Sequence, residues 1–374
     1  MSARRTLAIS RRIADLFRRD HRTLALLFVA PIVILALLGW VIRDQQLPPT
    51  RLAIINEAGA VGETVVGQLA DAVAEAGMTV DERVTTKEQA RAALGDGELD
   101  VAVVLEAEAA PTVRLITPGV QLSDDAARVA ELRQTLLDSF DVPRIGVEHE
   151  TVYGTSDAGF LDTFAPALVG FLVFFLVFVL TGVSFLRERM GGTLERLLGT
   201  PVRRSEIVVG YSLGFSIFAT LQVALVLLYT LSSIEIPAIG PFASFTIGLG
   251  VVNAGSAGLA FLVTLLLAVT AVNLGIFVST FARTELQVLQ FIPIVIVPQA
   301  LLAGIFWPVD ALPGILQPIS LLLPMTYGID GLREVLIKGS DLATPALQLD
   351  LLVLAGMTGL MVLLATATIR REVA

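Results

Sequence analysis

The chain has 374 residues, of which 55% are hydrophobic and only 16% are charged, and its mean hydropathy is +0.78. An ordinary soluble domain carries about 25% charged residues, so this composition excludes a water-soluble enzyme, a fibrous protein, a disulfide scaffold and a nucleic-acid binder. The chain has no cysteine and only two histidines, His21 and His149, which are too far apart in sequence to indicate a metal site.

The net charge of −9 is distributed unevenly along the chain. Residues 43–162 contain 22 acidic and 9 basic residues, whereas the remainder contains 13 acidic and 17 basic residues. This difference indicates an acidic soluble insert within a basic membrane protein.

At the N-terminus, arginine pairs recur every seven residues at 4/5, 11/12 and 18/19, with Ile9, Ile13, Leu16 and Phe17 on the opposite side of a helix. The spacing predicts an amphipathic helix within residues 1–22 that lies flat on the inner leaflet and contacts membrane lipid. The alternative is a disordered basic tail.

Six long stretches lack charged residues, and each is about as long as, or longer than, the roughly 20 apolar residues of a membrane-spanning helix. They are residues 23–42, 163–186, 207–234, 236–282, 286–309 and 351–369. The sequence therefore predicts an α-helical polytopic membrane protein with six transmembrane helices. The first span is residues 23–43, the insert is 44–160, and the other five spans lie within 161–374.

The insert alternates between strand and helix patterns. Strands are expected at 52–56, 78–84, 100–105 and 113–117, and helices at 63–76, 86–94 and 123–140. The pattern predicts a small α/β domain. It shows no nucleophile–base pair, phosphate-binding loop or metal-ligand cluster, so we expect a gate, a lid or a partner-contact domain rather than a catalytic one.

Arginine is concentrated on one side of the predicted membrane. Seven arginines precede the first span, five lie in the loop after the second, and Arg283, Arg370 and Arg371 belong to the same side. The positive-inside rule therefore predicts cytoplasmic N- and C-termini and an extracytoplasmic insert.

The stretch 236–282 is too long for one helix. Two crossings would reverse the side on which the C-terminal tail lies. We interpret Pro237, Gly240, Pro241 and the 248–258 region as an outer loop that dips into the membrane, with the fourth span from about Gly255 to Phe281.

The energy source is predicted to lie outside this chain. The charge-free spans argue against a proton-coupled or ion-coupled secondary transporter. The two lysines, Lys87 and Lys338, do not complete a Walker A phosphate loop. If ATP drives transport, another subunit must hydrolyse it.

The loop after the second span, residues 185–206, reads FLRERMGGTLERLLGTPVRRSE. It is similar to the corresponding loop of ABC-2-type transporter permeases, whose residues match here at Glu188, Gly192, Thr193, Leu194, Glu195, Leu197, Thr200, Pro201, Val202, Arg204 and Glu206. A second segment, residues 304–333, resembles the outer loop before the last helix of that family. The order of one span, a large outer domain and five spans agrees with the family across the whole chain.

The resemblance implies the permease subunit of an ATP-binding-cassette exporter. Two permease chains pair, as a homodimer or with a sister permease, and two separate ATPase subunits supply ATP and Mg²⁺. This chain would itself hold no cofactor, no metal and no catalytic residue. The cargo would be a hydrophobic or amphipathic small molecule, exported across a bacterial-type plasma membrane.

The loop 187–206 is the predicted coupling site for these ATPases. Thr193 is expected to cap a short helix, Leu194, Leu197 and Leu198 form its apolar edge, and Pro201 stops it. The alternative is a solvated basic loop. The coupling residues are Arg187, Glu188, Arg189, Gly192, Thr193, Leu194, Glu195, Arg196, Leu197, Leu198, Pro201, Arg204 and Glu206.

The outer loop 307–347 carries several prolines that forbid a continuous helix, so the fifth span should end near Phe306. From Pro324 a helix is expected, with Met325, Ile329, Leu332 and Leu336 on one face and Gly339 as its stop. It lies on the outer membrane face and either shapes the exit or packs the dimer.

The candidate pathway and outer-gate residues are aromatic residues and prolines. They are Phe171, Phe174, Phe175, Phe178, Phe306, Trp307, Pro308, Pro313, Pro324 and Tyr327. For the phenylalanines of span two, packing against lipid is the alternative. Two other functions remain open, a sensor subunit through which nothing passes and, less favoured, a secondary transporter.

Overall fold

The computed structural model describes residues 2–43, 50–57, 59–81, 83–95, 98–107, 111–116, 132, 160–237, 245–306 and 309–369. The chain divides into two compact units, residues 1–43 with 151–374, and residues 44–150. The second unit corresponds to the predicted insert. Its predicted helix at 123–140 lies outside the described residues apart from Leu132.

The described part of the insert is a four-stranded sheet. Its elements are β1 (Arg51–Asn56), β2 (Thr79–Val80), β3 (Val101–Ala107) and β4 (Pro111–Ile116), with helices α3 (Ala60–Glu75) and α4 (Lys87–Gly95) between them. The strand order is β2-β1-β3-β4, and only the β3–β4 pair is antiparallel. The predicted strand over 78–84 is shorter than expected.

Successive side chains along these strands point to opposite faces of the sheet, and both faces are apolar. On one face Ala53 and Val104 pack with Leu94 of α4. On the other, Leu52 and Val103 belong to a cluster with apolar residues of α3. The two helices therefore cover opposite faces, as in other α/β layers.

The other unit is helical. Its helices are α1 (Ala3–Arg19), α2 (His21–Arg43), α5 (Phe160–Met190), α6 (Thr193–Leu198), α7 (Arg204–Leu231), α8 (Ala257–Ser279), α9 (Glu285–Leu302), α10 (Gln317–Ser320), α11 (Pro324–Leu336) and α12 (Pro345–Thr368). Among the described residues, α2, α5, α7, α8, α9 and α12 are long and apolar enough to cross a membrane. The six predicted spans are thus confirmed as helices.

The bounds of the last span differ from the prediction. The uncharged stretch predicts a span that begins at residue 351, but α12 begins at Pro345 and therefore contains Asp350. Asp350 is 3% exposed. The expectation that the spans contain no ionisable residue is therefore wrong for this helix, because a helix continues through a charged residue that other helices cover.

Helix α8 lies at the centre of the unit and packs against α5, α7, α11 and α12. A small residue allows the close approach of α8 to α5, since a Cβ built on Gly275 would lie 2.9 Å from the carbonyl oxygen of Phe178 on α5. Small residues permit such close approaches between membrane helices. Helices α2, α9 and α12 are the least buried of the six.

In its described residues, the long uncharged stretch 236–282 contains one spanning helix, α8, as predicted. Strands β5 (Ile234–Ile236) and β6 (Phe245–Ile247) form an antiparallel hairpin, and the chain then runs without helix to Ala257. Pro237 follows β5, while Gly240 and Pro241 lie outside the described residues.

Between α9 and α12 the chain is broken into short pieces. Helix α9 ends at Leu302, four residues before the predicted end, and a 3₁₀ turn at Val309–Ala311 follows. Helix α11 matches the predicted helix from Pro324, and its four predicted apolar residues are buried. They pack against α5, α8 and α12, so this apolar face is covered by protein.

Candidate coupling site

We call the end of the helical unit that carries Arg187, Arg204 and Arg283 the basic end, and the opposite end the far end. At the basic end, α6 follows α5 after a sharp reversal at Gly191 and Gly192. Gly192 has φ of +69°, a conformation that side chains other than glycine rarely adopt. The predicted capping role of Thr193 is wrong, because Gly192 occupies the N-cap position and no side chain caps the helix.

Helix α6 presents two different sides. Leu194 is 5% exposed and packs into the main core, with Leu197 and Leu198 half-buried against it. Glu195 and Arg196 are exposed. The predicted apolar edge is therefore confirmed, and it anchors α6 while its charged side faces outward.

A cavity of about 480 Å³ lies beside α6. It is lined by Leu186, Arg189, Met190, Leu194, Glu195, Leu198, Ala282 and Arg283. These residues come from the end of α5, from α6 and from the connection between α8 and α9. Among its lining residues Leu186, Leu194 and Ala282 are buried, whereas Glu195 and Arg283 are exposed.

Two arginines of α5 tie that helix to the α8–α9 connection. Nη1 of Arg189 donates to the carbonyl oxygens of Ser279, Thr280 and Ala282 at 3.2, 2.8 and 3.0 Å. These carbonyls lie at the C-terminal end of α8, where backbone acceptors lack helical partners and the helix dipole is negative. Arg187 pairs with Glu285 at the start of α9 at 2.9 Å.

Glu188 joins three helices. Its Oε2 accepts from Nη2 of Arg12 at 2.6 Å and from the hydroxyl of Tyr211 at 2.9 Å. Burial alone would lower the pKa of Arg12, but Tyr211 and Glu188 outweigh it and the pKa is raised. Arg12 therefore stays charged, and this contact links α1 and α7 to the end of α5.

Glu206 holds the beginning of α1. Its side chain is 2% exposed, and its oxygens accept from the backbone N–H groups of Arg203 at 3.0 Å and Ser2 at 2.5 Å. Arg5 donates to the carbonyl oxygen of Pro201 at 2.5 Å. A carboxylate at the first turn of α7 thus also satisfies a backbone donor at the start of α1.

The apolar face of α1 packs against α7. Ile9 and Ile13 are 6% and 0% exposed and lie directly over Gly210 and Gly214, which form a G-x-x-x-G spacing. Phe17 contacts Phe215 with ring centroids 5.3 Å apart. We expect this face to lie in lipid from the sequence, but α7 covers Ile9, Ile13 and Phe17. Leu16, the fourth residue of the predicted face, is 46% exposed, and the predicted helix itself is confirmed.

The candidate pathway residues fall into two groups. Phe174 and Phe178 are buried in the helix bundle, while Phe171 and Phe175 are half-buried and stack on each other at 5.8 Å. This group lies in the middle of α5.

The second group lies at the far end. Phe306 and Pro313 are exposed, and Pro324 begins α11. The hydroxyl of Tyr327 donates to the carbonyl oxygen of Leu321 at 2.8 Å. Trp307 and Pro308 lie outside the described residues.

Arg12, Tyr211 and Asp350 were missed as site residues by the sequence analysis. In the sequence Arg12 is one of several arginines before the first span, and Tyr211 lies within an apolar stretch. The available signals are a tyrosine within an apolar stretch and an arginine pair near the N-terminus, but neither signal identifies the residue that the side chain contacts. Within the described ranges, no three His, Asp or Glu side chains group closely enough to hold a metal ion.

Comparison with known proteins gives a consistent result. Residues 21–367 match the family described as ABC-2 family transporter protein. Over 192 residues, 51% of this chain and 24% of the relative, the sequence is 31% identical to "ABC transporter G family member 20" of Dictyostelium discoideum.

Two bacterial permeases are also similar. "Linearmycin resistance permease protein LnrN" of Bacillus subtilis is 26% identical over 52% of this chain and 47% of its own length. "Probable multidrug ABC transporter permease YbhR" of Escherichia coli is 27% identical over 47% of this chain and 44% of its own length. The chain therefore spans less than half the length of each of these three relatives.

Proposed function

Because the chain belongs to the ABC-2 transporter family, we propose that it is the permease subunit of an ATP-driven exporter. The cargo would be a hydrophobic or amphipathic molecule. The observation that carries this proposal is α6, a short helix with an exposed charged side. It follows directly after α5, whose end is tied to α1, α7, α8 and α9.

The contacts around α6 suit the transmission of rigid-body motion. A force on Glu195 or Arg196 reaches α5 through buried Leu194. From α5 it passes to α8 and α9 through Arg189 and Arg187. Glu188 carries the same displacement to other helices, so α6 cannot move alone. Rigid-body switching of this kind is a common way to couple nucleotide binding to a conformational change.

Energy would come from two separate ATPase subunits that bind ATP and Mg²⁺ and dock on α6 and the cavity beside it. A second permease chain, identical or a sister chain, would complete the membrane assembly. Names of relatives that mention linearmycin resistance or multidrug transport support a drug-like or antibiotic-like cargo.

The arginine-rich basic end supports a cytoplasmic location for α1, α6 and both termini, in a bacterial-type plasma membrane. The insert of residues 44–150 would then lie outside the cytoplasm. In this orientation the ATPases approach the charged side of α6 from the cytoplasm.

The first test is co-purification of the tagged chain from its own cells, where we expect an ABC ATPase subunit to be retained. The second uses inside-out membrane vesicles and a panel of fluorescent amphipathic dyes. Replacing Glu195 and Arg196 together by alanine should abolish ATP-dependent dye uptake while ATP hydrolysis and membrane insertion persist, because the two exposed side chains are expected to contact the ATPase.

Asp310→Ala is the matched control, since Asp310 is an exposed acid at the far end and its loss should leave uptake unchanged. Undiminished uptake in the α6 variant would contradict the coupling assignment. If the wild type retains the ATPase subunit but takes up none of the dyes, a sensor subunit is favoured. If dye uptake persists without ATP, a secondary transporter is favoured.

A further inference from the structure

Asp350 is a buried acid inside a helix that is long and apolar enough to span a membrane. It lies in the second turn of α12 and is 3% exposed. Its Oδ2 is fully buried and makes no hydrogen bond within the described part of the chain. Buried carboxylates are normally paired or hydrogen-bonded, because leaving an ionised one without a partner is costly.

The carboxyl group lies where three helices meet. A Cβ built on Gly331 of α11 would be 3.4 Å from Oδ2 of Asp350 and 3.0 Å from Cγ1 of Val263 on α8. Asp350 therefore points at the backbone of α11, with α8 beside it. It faces the interior of its own helical unit rather than lipid or a second copy of the chain.

The ionisable groups around Asp350 come from α11 and the turn that follows it. They are Asp330, Glu334 and Lys338, with the Tyr327 hydroxyl also within electrostatic reach. Helix α8 has no ionisable side chain, and α7, which also packs against α12, has only Tyr229 in its far-end half.

These charges do not neutralise Asp350. Lys338 forms an ion pair with Glu334, which also accepts from Oγ of Ser340 at 2.6 Å. Burial alone would raise the pKa of Glu334, but Lys338 and Ser340 outweigh it and hold the pKa below its ordinary value. Glu334 is therefore negative at neutral pH.

The remaining charges of α11 do not supply a counter-ion either. Arg333 donates to the carbonyl oxygen of Gly304 at 2.6 Å, toward the α9–α10 connection. Asp330 is an exposed acid. A further negative charge on Asp350, beside Glu334 and Asp330, is disfavoured by repulsion.

We propose that Asp350 is a proton-binding site, so that in this packed arrangement of α11 and α12 it is a neutral carboxylic acid at neutral pH. A proton is the cation that fits, because within the described residues no group of His, Asp or Glu side chains could hold a metal ion. A movement of α11 that admitted water to this contact would favour release of the proton. The proposal does not depend on the cargo or on ATP.

Infrared spectroscopy of the purified full-length chain in lipid nanodiscs tests this directly. With aspartate labelled by ¹³C at the carboxyl carbon, the wild type at neutral pH should show the C=O band of a protonated aspartic acid. Asp350→Asn should lose that band. The matched control Asp330→Asn removes an exposed acid from the same cluster and should keep it. Absence of the band in the wild type, or its survival in Asp350→Asn, would overturn the proposal.

Thermal stability gives a second measurement, with an isosteric variant that keeps the packing. Asp350→Asn should melt at or above the wild-type temperature at neutral pH, because it reproduces the neutral form. In alkaline solution the melting temperature of the wild type should fall further below that of the variant, since the folded chain must then keep a proton on Asp350 that the unfolded chain releases. A variant that melts well below the wild type at neutral pH would show that the ionised carboxylate stabilises the fold, which contradicts the proposal.

Discussion

The contact between α1 and α7 makes the sharpest prediction about this protein. Gly214 lies under Ile13, and a Cβ built on Gly214 would be 2.7 Å from Cβ of Ile13, 2.9 Å from its Cγ2 and 3.2 Å from the carbonyl oxygen of Ser10. The two nearest atoms belong to the branched base of a side chain, next to the backbone, so no rotamer change can move both away. Gly214→Ala must therefore push α1 off α7.

This geometry indicates how much free energy Gly214→Ala removes from the contact between α1 and α7. Overpacking of a filled contact costs about 1–3 kcal/mol, and we expect the lower half of that range because α1 can shift as a unit. A loss of about 1–2 kcal/mol corresponds to a factor of about 5–30 in the population of the opened helix. Gly210→Ala should act in the same direction, since its built Cβ would be 2.8 Å from Cβ and Cγ2 of Ile9.

Trypsin is a suitable probe, because α1 contains six arginines and is cleaved only when it opens. In the detergent-solubilised chain, Gly214→Ala should be cleaved within α1 about 5–30 times faster than the wild type. The double variant should show less than the product of the two single effects, because one displacement of α1 relieves both contacts.

The matched control is Gly356→Ala on α12, where a built Cβ meets nothing within 4 Å. It makes the same chemical change in a helix of the same unit and should leave cleavage unchanged. Equal cleavage rates for Gly214→Ala and Gly356→Ala would refute the close packing of α1 on α7.

Two further predictions concern ion pairs. Arg12→Met removes the ion pair with Glu188 (N···O 2.6 Å), and because the Arg12 side chain is 39% exposed, the loss of stability should be no more than about 1 kcal/mol. Tryptic cleavage of α1 should therefore rise by up to about fivefold. A cleavage rate equal to that of the wild type would show that the pair does not hold α1. Glu334 has a pKa held below its ordinary value of 4.5, so its carboxylate stabilises the fold fully above that pH and the contribution is lost as the pH falls through the lowered pKa. The melting temperature of Glu334→Gln should accordingly lie below that of the wild type by a constant amount above pH 4.5, and the two melting temperatures should converge in more acidic solution. A difference in melting temperature that persists in acid would contradict a stabilising role of the Glu334 carboxylate.

Local pattern predicted most of the architecture. The six spans follow from long uncharged stretches, and the β1–α3–β2 and α4–β3 order of the insert follows from its periodicity. Helix α11 was predicted from four apolar residues at helical spacing, beginning at Pro324, because proline at the first turn and an apolar stripe are both readable from sequence. The short helix α6 was likewise predicted, with Leu194 on its buried side.

The sequence pattern gave wrong predictions where a helix boundary or a contact partner depends on tertiary packing. Thr193 carries a capping type of side chain, but the reversal at Gly192 takes the cap position instead. The end of α9 was placed too late, since hydropathy continues past the residue at which the helix stops. Trp307 and Pro308 carry predictions that lie outside the described residues.

Hydropathy, charge and periodicity are properties of contiguous residues, and they predict a six-span membrane protein with an acidic insert and a charged loop helix. The residues that cover each helix face follow from the packing of the helices. This packing placed the apolar side of α1 on Gly210 and Gly214, brought Arg12 and Tyr211 to Glu188, and enclosed Asp350 against Gly331. Each of these contacts joins residues far apart in the chain, and burial of a charge depends on which helices meet, which no local pattern encodes.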